Sequence, residues 1–68
     1  MKIEWVDGFE IKVSYDGNSV VISANKEGLL SLAGQLTAMA NAEGGCHIHY
    51  DEYNSIEDGS IELIIEKK

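Results

Sequence analysis

Asp16-Gly17-Asn18, lying between two runs that alternate apolar and polar residues, constrains the fold of this chain more than any other stretch. Gly and Asn tolerate the positive φ angles that short hairpin loops require. From Ile3 to Tyr15 the apolar residues fall at Ile3, Trp5, Phe9, Ile11, Val13 and Tyr15, with Glu4, Glu10, Lys12 and Ser14 between them. Period two over this length predicts a strand with one buried face. Asp7-Gly8 interrupts the run without changing its parity, which fits a bend or bulge better than a tight hairpin. With Asp16-Gly17 as the loop residues, Tyr15 faces Asn18, Val13 faces Val20 and Ile11 faces Ile22, so the apolar faces of the two strands coincide. Val21 then points to the other side, beside Ser19 and Ser23.

The period changes after Ala24. Asn25 is placed to cap a helix by accepting from an unpaired first-turn amide, and Glu27 suits the positive end of the helix dipole. The helix is predicted to run from about Lys26 to Asn41, with Leu29, Leu32, Ala33, Leu36 and Ala40 as its core-facing stripe and Leu30 and Met39 widening it. Gly28 and Gly34 each cost up to about 1 kcal/mol relative to Ala inside a helix, which points to close packing on a sheet. Gly44-Gly45 ends the element.

Alternation resumes from Cys46 to Tyr50, placing Cys46, Ile48 and Tyr50 on one side and His47, His49 and the following Asp51 on the other. After a polar loop, Ser60 to Lys67 reads as a last strand burying Ile61, Leu63 and Ile65, with Glu62, Ile64 and Glu66 outward. The expected architecture is a single α+β domain over residues 1–68, a two-layer ββαββ arrangement with one helix on one face of a four-stranded, mainly antiparallel sheet. The first and third strands are expected to be central neighbours. The uncovered sheet face would carry Val6, Val21, Ile64, His47 and His49. At 68 residues the chain buries only about 60% of its unfolded surface, so a deep catalytic cleft is not expected.

Five lysines stand against twelve acidic residues, a formal net charge of −7. Nucleic-acid binding needs a clustered basic surface and is not expected. A single cysteine allows no internal disulfide and fits a reducing cytoplasm. The N-terminal residues do not resemble a signal peptide, and the longest nearly apolar window, Leu29 to Ala42, is too short and interrupted to span a bilayer. A cytoplasmic protein without membrane association is therefore expected.

Cys46 to Ser60 contains both histidines, four of the twelve acids and two of the three tyrosines. His47 and His49 project from one strand face and could share a metal ion with Asp51 as third ligand. Two solvated histidines side by side are the blander alternative. Cys46 and His47 point to opposite faces, so a thiol–imidazole pair is not expected. The loop from Asp51 to Gly59 concentrates oxygen ligands but lacks the spacing and central glycine of an EF-hand calcium loop. Tyr53 and Ile56 within it are not what solvation alone selects. Tyrosine among carboxylates suits the gripping of a protein partner, the ring supplying contact area and the acids meeting lysine or arginine.

Ser23 to Ala33, His47-Ile48-His49, Asp51 to Ser60 and Glu62 to Lys67 together resemble the bacterial polymorphic-toxin immunity family numbered thirty-two in the immunity series. The resemblance implies a small antidote that binds a cognate toxin and blocks it, not an enzyme, and it calls for no cofactor. The family-like polar residues are His47, His49, Asp51, Asn54, Ser55 and Asp58. With the loop chemistry, the candidate toxin-binding set becomes His47, His49, Asp51, Glu52, Tyr53, Asn54, Ser55, Glu57 and Asp58, facing a toxin with a basic surface. The alternatives are a metal-binding or metal-dependent protein using His47, His49 and Asp51, and a homodimer or larger homo-oligomer built through the open sheet face or an edge strand.

Overall fold

In the computed structural model, which describes Met1–Lys68, the elements follow in the order β1 (Ile11–Asp16), β2 (Ser19–Ala24), α1 (Lys26–Ala40), β3 (His47–Tyr50) and β4 (Leu63–Glu66). The first hairpin forms with the expected parity but a register two residues away, pairing Ile11 with Ala24, Val13 with Ile22 and Tyr15 with Val20. Gly17, at φ 60°, is the first loop residue and Asn18 the second, with no positive φ at Asn18. That is the pattern of a type II′ turn, in which glycine takes the first central position. A slip of two preserves each strand's faces, whereas a slip of one would have inverted them.

The alternating run before Ile11 is not strand. Phe9 N donates to Val6 O at 3.1 Å, closing a turn at Asp7-Gly8. The segment before it lies along the helix: Val6 N donates to Ser31 Oγ at 2.8 Å and Gln35 Nε2 donates to Glu4 O at 2.8 Å. Trp5 and Phe9 stack with ring centroids 4.3 Å apart and pack against the core.

These bonds set the rotation of α1. Asn25 caps it as expected, Oδ1 accepting from Gly28 N at 2.8 Å. The buried positions, however, are Gly28, Ser31, Leu32, Gln35 and Met39. The inward face is turned by one residue position, roughly 100°, from the leucine stripe. Leu29, Ala33, Leu36 and Ala40 are exposed, and of that stripe only Leu32 is buried. Ser31 and Gln35 face inward because they bond the main chain of the N-terminal segment, a gain that apolar periodicity does not register. Gly28 fits against the hairpin so closely that a Cβ there would stand 2.6 Å from Glu10 O; Gly34 has open space. At the other end, Lys67 Nζ donates to Ala40 O at 2.8 Å and also to Ala42 O, bringing a cation to the carbonyl end of the helix.

The four strands form two antiparallel pairs, β1–β2 and β3–β4, rather than one sheet. β1 and β3 are not neighbours, because the chain after Ile56 occupies the edge of β1 where β3 was expected. Glu57 N donates to Ile11 O and Ile61 N to Val13 O, each at 2.9 Å, while Val13 N donates to Ser60 Oγ at 3.1 Å. The polar loop is thus the seam between the hairpins. Ile61 follows that seam and is exposed; Leu63 and Ile65 are partly buried, as their parity predicted. The core comprises Ile11, Val13, Leu32, Met39, Ile48, Tyr50 and Ile56. β2 contributes nothing to it beyond the partly buried Ala24, and Val20, Val21 and Ile22 are all exposed. No helix is long and apolar enough to cross a membrane.

Candidate functional site

Alternation along β3 buries Ile48 and Tyr50 and exposes His47 and His49, as the sequence predicts. The imidazoles meet edge-on with centroids 4.9 Å apart. His49 Nδ1 lies 3.1 Å from Glu62 Oε2, so the nitrogen carries the proton that the carboxylate accepts. Ile64 lies opposite His49 and Glu66 opposite His47 on β4. Glu62 was absent from the sequence-based candidate set, although its outward parity on the last strand was the signal that could have placed it there.

The loop after Tyr50 is tied to itself. Asp51 O accepts from Asn54 N, Ser55 N and Ile56 N, while Asp51 Oδ1 accepts from Tyr53 N at 3.0 Å and Asn54 N at 3.1 Å. Asn54 Nδ2 donates to His49 O at 3.3 Å, and Asn54 Oδ1 accepts from Asp51 N and from the Ser55 hydroxyl. Glu52 Oε2 accepts from Gly59 N at 3.1 Å, where Gly59 adopts φ 86°. Ile56 seats the loop in the core with 4% exposure. Side-chain to backbone bonds of this kind hold a turn without regular secondary structure.

The nine candidates therefore divide by task. Asp51, Glu52, Asn54 and Ser55 spend polar atoms on the shape of the loop. Tyr53, 93% exposed, and the exposed Glu57 and Asp58 keep their side chains toward solvent. His47 and His49 stand on the adjoining β3–β4 face with Glu62. What results is a fixed, acidic, tyrosine-bearing prominence beside a histidine–carboxylate pair.

The three residues of the metal alternative are not brought together. The Asp51 carboxylate turns into its own loop and does not join His47 and His49, and no group of three metal-ligating side chains converges anywhere in the fold. Nor does Cys46 approach a nucleophile's surroundings: it is a partly buried thiol packed against the core.

An α+β chain of one helix and two antiparallel strand pairs thus presents its candidate residues on the exposed side of β3 and on the loop that follows it. Residues 19–68, from β2 to the last residue, match the family described as immunity protein 32, and the chain belongs to that family. The match includes both histidines and the whole loop. No curated protein and no solved structure matches the chain.

Proposed function

We propose that this immunity protein neutralises a cognate protein toxin by covering part of its surface with the Asp51–Gly59 loop and the neighbouring histidine face, acting by occlusion in the cytoplasm of the cell it protects. The observation that carries the reading is Tyr53, a ring almost wholly in solvent on a loop whose backbone is already fixed by Asp51, Asn54 and Ile56. A pre-shaped loop loses less freedom on binding than a mobile one. Tyrosine is among the residues that dominate interface energies. The net charge of −7 suits a toxin with a basic surface, since long-range attraction hastens encounter.

Binding kinetics of purified protein with the toxin domain, followed by surface plasmon resonance across a salt series, test this directly. Charge reversal by Glu57→Lys and Asp58→Lys slows association about tenfold at low salt and flattens its salt dependence. Tyr53→Ala speeds dissociation instead. These variants touch none of the bonds that shape the loop, so an unchanged affinity moves the interface elsewhere, with the exposed Leu29 and Leu36 of α1 the next surface to test.

A further inference from the structure

We propose that β2 is a self-association edge, pairing antiparallel with β2 of a second copy about a two-fold axis at Val21 to join two hairpins into one four-stranded sheet. The hairpin register fixes which groups are free. Asn25 N donates to Glu10 O, and pairs alternate from there, so Lys12–Ser23, Ser14–Val21 and Asp16–Ser19 are the hydrogen-bonded pairs of β1–β2. The N–H and C=O of Val20 and Ile22 consequently point away from β1, where no other strand or side chain meets them. This edge has no charge, proline or bulge, the devices that usually guard an exposed strand.

The occupant is argued from symmetry and charge. Ser19-Val20-Val21-Ile22-Ser23 reads nearly the same in both directions, which is what a self-complementary interface requires. Rotation about Val21 sets Val20 opposite Ile22 twice as hydrogen-bonded pairs, Val21 opposite its own copy, and Ser19 opposite Ser23. On one face Tyr15, Val20 and Ile22, exposed by 65%, 55% and 43%, then extend into an apolar band shared by both copies. Two chains of charge −7 repel wherever their acidic surfaces meet, but a strand with no ionised side chain brings no acid against acid. The contact is confined to one six-residue strand, and small interfaces give weak, concentration-dependent pairing.

Sedimentation velocity up to about 1 mM tests the proposal together with cysteine cross-linking in a Cys46→Ala background. Wild type is expected to move to a dimer boundary as concentration rises, and Val21→Lys, which sets two ammonium groups together on the axis, to weaken that dimer at least tenfold. Facing non-hydrogen-bonded residues lie about 4.5 Å apart at Cα, within disulfide reach. Val21→Cys should therefore oxidise to a linked dimer much faster than Ser14→Cys, which sits one strand further in on the same face. A chain that stays monomeric throughout overturns the proposal. So does equal oxidation of the two thiols, or a Val21→Cys thiol that only bound toxin protects, an outcome that would assign the edge to the toxin.

Discussion

The Tyr50 hydroxyl donates to Gln35 Oε1 at 2.7 Å across the interior, and both residues are 1% exposed. Gln35 in turn donates through Nε2 to Glu4 O, so one buried amide ties β3, α1 and the N-terminal segment together. Burial holds the Tyr50 phenol above its ordinary pKa of 10.0. The sign follows from linkage: a raised pKa favours the protonated, folded form, so this contribution is complete below pH 10 and is lost as pH rises through the higher folded-state value. Thermal unfolding followed by circular dichroism should show Tm falling above about pH 10. Tyr50→Phe should cost about 1–3 kcal/mol at neutral pH, because Gln35 Oε1 loses its donor, and should make the alkaline fall shallower. If the variant keeps the full alkaline slope, the ionisation that unfolds the protein lies elsewhere.

Asn25 does more than cap the helix. Its Oδ1 accepts from both Gly28 N and Glu10 N, and its Nδ2 donates to Gly8 O and Glu10 Oε1. Asn25→Ala should therefore lie at the upper end of cap losses, about 2 kcal/mol. Asn25→Asp, usually an equivalent cap, should restore only part of that loss, since it keeps the acceptor but removes both donations and faces the Glu10 carboxylate. Urea denaturation of the three proteins gives the ranking. Equal stability of Asn25→Asp and wild type would mean that the amide donors contribute nothing.

The two helical glycines predict opposite outcomes for one substitution. Gly34→Ala meets open space and should stabilise by up to about 1 kcal/mol through helix propensity. Gly28→Ala places a methyl 2.6 Å from Glu10 O, with Ile11 Cγ1 at 3.0 Å and Ala24 Cβ at 3.1 Å. Backbone cannot retreat as a flexible side chain would, so the propensity gain is outweighed and Tm falls. A rise in Tm for both variants would show that α1 is not seated against the hairpin this closely.

Sequence periodicity made the elements legible because each signal there is local. Parity along β3 and the hairpin follows from residues two apart, and the Asn25 cap from residues three apart. The face of α1 was misread because Ser31 and Gln35 are buried through bonds to a main chain far away in sequence, while Leu29 and Leu36 stay exposed. The strand arrangement was misread for a related reason. Nothing local in Glu57 to Ile61 announces that its amides will bond β1, so Glu57 to Gly59 reads as loop and Ser60-Ile61 as the start of the last strand. At the candidate site, side-chain direction on β3 was readable, but the inward turn of the Asp51 carboxylate depends on loop geometry and was not.

Within the loop, Tyr53 and Ile56 stand only three residues apart and should separate binding from folding. Ile56 is 4% exposed among core side chains, so Ile56→Ala should cost about 2–4 kcal/mol, loosen the Glu57–Ile11 seam and lower Tm sharply. Tyr53 is 93% exposed, so Tyr53→Ala should leave stability within about 0.5 kcal/mol of wild type while weakening any complex that uses the ring. Amide hydrogen exchange adds a second readout. The amides of Asn54, Ser55 and Ile56 bond Asp51 O directly and should remain protected in Tyr53→Ala, but exchange quickly in Ile56→Ala. If Tyr53→Ala unfolds the loop as readily as Ile56→Ala does, the ring supports the structure and is not held out for a partner.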